Sequence, residues 1–349
     1  MKKNLIKASC ISIALLFTSS IPVFADMNVS RVSGYDRYET SVNANKKYMN
    51  QANGNLAVIA SGNDFKTALY GSYMASSLNV PYFVNPKHGV RTDILNELKR
   101  LKVNRVYIIG DYHMLDKSVD NTLKSKDIKV ERLDEEIDYD VDNIIFNTFH
   151  YGENKGDIGM GIFINDEKFP DLLSVIPLSS LLARTEKRLL MNSNSLSYDN
   201  SNFVIGGGLI IGGYDSVPSN IMTFEGENWG LYDHSYYDEY TGKTYHDYTG
   251  RIAGQNRYET AVEIAKAYKI MFNKGTNTIV LVNGENYPDA LSSSLVATQN
   301  TGAVLLTQPN KLNENTAKYI KDNNIKNIII VGGEKSVSRN VENELKTLN

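Results

Sequence analysis

Apolar and polar positions alternate most legibly in the C-terminal part of the chain. From Arg257 to Phe272, the apolar residues Tyr258, Ala261, Val262, Ala265, Tyr268 and Phe272 recur near helical spacing, which predicts a helix. Thr278 to Val282 is a short β-branched run that stops at Asn283-Gly284 and predicts a strand. Asp289 to Gln299, rich in Ala, Leu and Ser, predicts a second helix, and Ala303 to Thr307 a buried strand stopped by Pro309. Asn313 is placed to cap a helix through Asn323. Ile328 to Val331 predicts a third strand, followed by Gly332-Gly333 and a last helix through Lys346. Short, wholly apolar strands between helices predict a parallel α/β sheet covered on both faces. In such sheets ligands favour the crevice beyond the carboxyl ends of the strands. Here those ends are Ser61-Gly62-Asn63-Asp64, Asn283-Gly284-Glu285-Asn286 and the glycine pairs.

The pattern is repeated. Arg31 to Val42 (RVSGYDRYETSV) recurs 220 positions later as Arg251 to Val262 (RIAGQNRYETAV), with seven of twelve residues identical. A repeat of that length is one structural unit copied. Near the midpoint, Arg132 to Val141 (RLDEEIDYDV) keeps the first Arg, the Tyr and an acidic residue, but has Asp138 for the second Arg and Val141 for the Thr. Two further landmarks support three copies. Asn286 to Leu291 (NYPDAL) is matched by Lys168 to Leu173 (KFPDLL) and loosely by Asp64 to Leu69 (DFKTAL). A strand-like run ending in glycine closes each copy at Ile328, Leu209 and Val106. The expected boundaries are 26–131, 132–250 and 251–349.

Spacing also locates an insertion. From the closing glycine to the next Arg takes 22 residues after Gly110 but 39 after Gly212. The surplus falls at about 225–250, a stretch holding Trp229 and six tyrosines. Tyr240 to Tyr245 (YTGKTY) reads as a hairpin turn between aromatic strands. An insertion into one repeat sits on a surface loop.

Lys2, Lys3 and Lys7 precede a short apolar run, Ile11 to Phe17, and a small-residue exit at Val23-Phe24-Ala25. These features predict a secretory leader over residues 1–25, too short to remain as a membrane span. Removing it discards Cys10 and moves the formal charge from −3 to −6. An exported chain without cysteine fits a bacterial surface protein whose cores dispense with disulfides. Its acidic balance argues against nucleic-acid binding, and no later stretch is apolar enough for membrane insertion. Three units use the whole remaining length, which leaves no separate effector domain as the expectation.

The motif R-x-x-G-x-x-R-Y-E-T, the run Asn283 to Ser292 (NGENYPDALS) and the closing IIVGG resemble the cell wall binding repeat 2 family of clostridial surface proteins. The resemblance is specific for the third copy, good for the first, and weak for the second, which spacing places. It implies three tandem Rossmann-like or Toprim-like α/β parallel-sheet units packed as a pseudo-threefold trimer. It further implies non-covalent anchoring to an anionic cell-wall polysaccharide at a Gram-positive surface, with surface-layer proteins as possible company.

The candidate polysaccharide ligands are Arg31, Arg37, Tyr38, Arg132, Arg251, Arg257, Tyr258, Asn283 and Asn286, because guanidinium groups fork onto phosphate or carboxylate. The competing account is that each Arg pairs locally and fixes a helix start or a contact between repeats. Asp171 and Asp289 follow proline and are expected to cap helices rather than act in acid-base chemistry, since Thr67 replaces them in the first copy. The glycine pairs lack dinucleotide or Walker spacing and read as tight turns. Five scattered histidines have no metal-ligand spacing, and no G-x-S-x-G elbow is present. No catalytic residue, metal or cofactor is therefore expected. In the insertion, Trp229, Tyr236, Tyr237 and Tyr240 are candidates for contact with a protein partner or a host glycan, or else for packing on their own repeat.

Overall fold

The computed structural model describes residues 27–150, 161–185, 188–193, 208–218, 229–240, 242–246 and 248–348. The expected leader with Cys10, and part of the insertion, lie outside the described residues.

The first unit runs β1 (Asn28–Val32), α1 (Arg37–Tyr48), β2 (Leu56–Ser61), α2 (Phe65–Leu78), β3 (Tyr82–Asn85), α3 (Thr92–Arg100), β4 (Arg105–Ile109) and α4 (Lys117–Lys124). The second runs β5 (Lys129–Leu133), α5 (Ile137–Thr148), β6 (Ile162–Ile164), α6 (Phe169–Thr185), β7 (Leu190–Asn192) and β8 (Leu209–Ile211). The insertion follows as β9 (Tyr232–Asp233), β10 (Tyr236–Asp238) and β11 (Lys243–Tyr245). The third comprises β12 (Tyr248–Ile252), α7 (Arg257–Phe272), β13 (Thr278–Asn283), α8 (Ser293–Gln299), β14 (Ala303–Thr307), α9 (Glu314–Asp322), β15 (Asn327–Val331) and α10 (Arg339–Lys346). The strands and helices read from the third copy are present. The exception is Asp289, which falls in a 3-10 turn over Pro288–Ser292 that precedes the α-helix proper. Proline there has no amide to donate and favours this tight entry.

The sheets are parallel, apart from the antiparallel insertion strands; central strands such as β2 and β13 are wholly buried, as expected for sheets covered on both faces, while β1 and β5 are only partly buried. Their strand orders are β3-β2-β4-β5, β7-β6-β8-β12-β9 and β1-β15-β13-β14. Each therefore borrows a strand. The opening strand of one repeat completes the sheet of the repeat before it, and β1 completes the sheet of the third, closing a ring. The register of the borrowed strands is the same each time. Arg132 stands opposite Ile108, Arg251 opposite Ile210 and Arg31 opposite Ile330, always two residues before the closing glycine.

Helices α2, α6 and α8 pack against one another at the centre, and α5 lies on α2, α7 on α6, and α1 on α8 and the turn before it. Phe65, Phe169 and Tyr287, the equivalent residues of the three copies, form a triangle with ring centroids 6.1, 5.5 and 5.9 Å apart. These contacts have the cyclic pattern that a pseudo-threefold arrangement requires. Edge-to-face and tilted geometry of this kind suits the quadrupoles of the rings. In the insertion, β10 and β11 form the expected antiparallel hairpin, with Tyr236 opposite Tyr245. β9 pairs antiparallel with β12, a contact the sequence did not suggest.

Candidate functional site

The repeated motif folds into a local device whose parts can be assigned one by one. In the first unit the Asp36 carboxylate accepts from the Glu39 amide at 2.8 Å and caps α1. Glu39 reaches back to accept from the Tyr35 amide at 2.7 Å, and the Thr40 hydroxyl accepts from the Gly34 amide at 2.9 Å. In the third, Asn256, Glu259 and Thr260 accept in the same way from the amides of Glu259, Gln255 and Gly254. A Cβ on Gly34 would lie 2.5 Å from that of Glu39, so only glycine lets the loop fold so tightly over the helix start.

Each first arginine is spent on a junction between units. Arg31 donates to the Gly332 carbonyl at 2.7 Å, Arg132 to that of Gly110 at 2.5 Å and Arg251 to that of Gly212 at 2.7 Å. All three glycines have positive φ (+120°, +114° and +105°), which turns the strand end toward the borrowed strand. Arg251 also donates to the Val217 carbonyl at 2.8 Å and has no solvent exposure. In this arrangement it offers no surface to a polymer, because closing the ring buries the guanidinium, in line with the competing account of a contact between repeats. Arg132 pairs with Asp120, and Arg31 with Glu342 at 3.3 Å.

The second arginines stand at the carboxyl edge of the sheets. Arg37 donates to the Gly62 carbonyl, and Arg257 to that of Gly284 at 2.6 Å. Beside them, the Tyr38 hydroxyl is 3.4 Å from Asn63, and that of Tyr258 3.5 Å from Glu285. Arg257 is exposed and its guanidinium lies 5.8 Å from the centroid of Phe169 in the neighbouring unit. Asn286 is exposed there too. Asn283 is buried, and its side-chain oxygen accepts from the amides of Glu285 and Asn286, shaping the strand-end loop. Arg91, which the sequence did not single out, adds a cation at this edge in the first unit. It lies 5.6 Å from the Tyr38 ring centroid and pairs with Asp36 and Asp93 at 2.7 and 2.8 Å.

The second unit departs from this plan. Asp138 takes the arginine position and Asp166 that of Gly62 and Gly284. Burial and the neighbouring Asp138 push the Asp142 carboxyl well above the usual carboxylate range.

The aspartates expected to cap helices serve the closing turns. Asp171 accepts from the Ser216 hydroxyl at 3.3 Å, and Asp289 from the Gly333 amide at 3.3 Å. The Thr67 hydroxyl meets Met114 instead, and α2 is capped by Asp64. Burial pushes the Asp171 carboxyl up to about 6, against the pull of Ser216 and Arg257. Among the described residues, no group of three or more His, Cys, Asp or Glu is placed to hold a metal. No helix among them is long and apolar enough to cross a membrane.

A cavity of about 430 Å³ at the opposite edge of the third unit is lined by Lys266, Lys269 and Lys274 with Thr276. It lies beyond the C-terminal ends of α7 and α9, whose free carbonyls favour cations and oppose an anion. Those lysines complement helix ends.

Of the insertion candidates, Trp229 is partly exposed and Tyr237 and Tyr240 are exposed, while only the backbone of Tyr236 is described.

A ring of parallel α/β units with tyrosines and arginines at its strand ends is a repeat-built binding architecture. The chain belongs to the cell wall binding domain 2 (CWB2) family, which matches residues 31–120 and 251–342. It is 24% identical over 326 residues to N-acetylmuramoyl-L-alanine amidase LytC of Bacillus subtilis, covering 92% of this chain and 59% of that one. It is 40% identical over 99 residues to the amidase enhancer of the same organism, covering 28% of this chain and 14% of that one. In fold it resembles Cwp8 from Clostridium difficile, with a TM-score of 0.69 and 16% identity over 93% of this chain and 52% of that one. Cwp6 from the same organism gives 0.65 and 18% over 88% and 46%. The chain thus spans three fifths or less of each of these relatives.

Proposed function

We propose that this chain anchors to the wall of a Gram-positive cell by binding an anionic wall polysaccharide, and that it carries no chemistry of its own. Membership of a cell wall binding family is the observation that carries the reading. The ligand edge is assigned to the carboxyl ends of the first and third sheets. There Arg37 with Tyr38, and Arg257 with Tyr258 and Asn286, stand beside backbone loops suited to acidic sugars. Arg31, Arg132 and Asn283 contribute by shaping that edge. Asp138 makes the second unit the weakest of the three. Export by the 1–25 leader, and neighbouring surface-layer proteins as company, belong to the same reading.

The test is retention of the folded protein on purified walls, with and without the anionic polymer, across salt. Retention is expected to fall between about 0.05 and 0.5 M salt and to drop further in Arg257→Ala. Equal retention on stripped walls removes the proposal.

A second reading is favoured by the exposed tip of the insertion hairpin at Tyr237 and Tyr240. It makes the ring an adhesion scaffold whose tip meets a protein partner or host glycan. Tyr237→Ala with Tyr240→Ala at the hairpin tip separates the readings, because wall retention survives under the first and partner binding is lost under the second.

A further inference from the structure

The three junctions between units are covered differently. The Arg132 guanidinium lies 4.2 Å from the centroid of Tyr112, and that of Arg251 4.3 Å from Tyr214. Both tyrosines sit two residues after the closing glycine. At the third junction that position is Glu334, and among the described residues Arg31 is held by the Gly332 carbonyl and Glu342. Strand exchange therefore closes without a ring over the arginine.

At the junction of the second and third units the ring has company. Trp229, the single tryptophan of the chain, meets Tyr214 with centroids 5.9 Å apart and planes at 72°. Its backbone forms a bridge to Arg251, and the next residue, Gly230, donates its amide to the Arg251 carbonyl at 2.9 Å. The Tyr232 hydroxyl donates to the Trp229 carbonyl at 2.9 Å. The Trp229 ring lies over Gly213, where a Cβ would meet it at an ordinary contact distance of 3.9 Å. The backbone of Trp229 and one face of Tyr214 are thus held by buried structure, yet the two residues are 41% and 47% exposed. Tyr112, by contrast, has no second ring beside it among the described residues.

Fixed aromatic faces forming an open corner suit a particular occupant. The other large apolar side chains exposed in this part of the chain are also rings, Tyr232, Tyr237 and Tyr240, with no aliphatic residue among those described. Tyrosine and tryptophan serve protein interfaces as well as sugar sites. A pyranose presents a flat C–H face and a hydroxyl rim, which a ring face and phenol hydroxyls satisfy together. We propose that Tyr214 and Trp229 form a stacking subsite for a pyranose ring of the wall polysaccharide, with Tyr232 fixing the position of Trp229. The inference rests on the wall-binding reading and adds a grip on the sugar ring to the grip on its acidic groups.

Trp229 reports on its own site. The full chain is titrated with soluble polysaccharide released from purified walls, following tryptophan emission and, independently, binding by calorimetry. Emission is expected to change and saturate together with the calorimetric signal. Tyr214→Ala and Trp229→Ala, each checked for native circular dichroism, should weaken binding about three- to tenfold. Tyr214→Phe should bind as the parent, and Tyr112→Ala should keep the emission change. Polysaccharide that binds with unchanged emission and equal affinity for both alanine variants overturns the subsite and leaves the wall-binding reading standing. Emission that responds to a protein partner and not to polysaccharide also overturns it. No binding at all removes both.

Discussion

Lys66 of the first unit stands 2.8 Å from the carboxylate of Asp166 in the second, a fully buried group that occupies the position held by Gly62 and Gly284 elsewhere. A side chain at that position displaces the tyrosine that otherwise lies over it. A Cβ on Gly62 would come within 2.6 Å of Tyr38, and one on Gly284 within 2.9 Å of Tyr258. Tyr139, their counterpart, is 63% exposed. Glycine, arginine and inward tyrosine were exchanged together for aspartate, aspartate and outward tyrosine, with Lys66 supplying the cation from the neighbouring unit.

Removing that cation leaves a buried carboxylate uncompensated. Lys66→Met is expected to lower unfolding stability by roughly 1–3 kcal/mol, less than for a fully buried pair because the lysine is partly solvated. Adding Asp166→Asn should recover most of the loss in a double-mutant cycle by urea denaturation. Additive losses would show that the pair is not coupled.

The junction arginines should differ in weight. Arg251→Met strips two buried carbonyls of their donor and is expected to cost about 3–5 kcal/mol. Arg31→Met, at a half-buried junction, should cost about 1–2 kcal/mol. Denaturation midpoints compare them, and equal losses would contradict the difference in burial.

Acid should favour the protein at one site. The Asp171 carboxyl is raised to about 6 from 3.8, so between those values the folded state holds more proton than the unfolded state. Its contribution to stability therefore declines as pH rises from about 4 to 6 and stays low above it. Asp171→Asn is expected to be more stable than the parent by roughly 1–3 kcal/mol at pH 7, the gain vanishing near pH 4. A gain independent of pH would assign the effect to packing.

Crowding at the strand-end glycine is testable in the third unit. Gly284→Ala should destabilise by about 1–3 kcal/mol, and Tyr258→Ala in the same chain should relieve part of it by opening the space that Tyr139 leaves in the second unit. Thermal unfolding of the two single variants and the double variant checks this, and strict additivity would refute it.

Much of the edge was legible because its signals are local. Asp36 and Asn256 cap helices within three residues of their own position, and Glu39 and Thr40 close the loop just before them. Those contacts are local, although the capping expectation falls on Asp171 and Asp289 and not on Asp36 or Asn256. Tyr112 and Tyr214 also left a trace, each two residues after a closing glycine, but nothing local marks a ring as covering an arginine that arrives from the next repeat.

The sequence by itself determined the helices and strands of the third unit, the glycines that end strands and the hairpin turn from Tyr240 to Tyr245, since these depend on short-range periodicity and backbone freedom. Only the tertiary structure decided where the opening strands go. An extended segment such as Asn28–Val32 can pair with any free parallel edge, and the edge it finds belongs to β15, about 300 residues away. That choice decides between the two accounts of Arg31, Arg132 and Arg251, making them contacts between repeats. Pairing across such a distance is rewarded only once all three sheets exist.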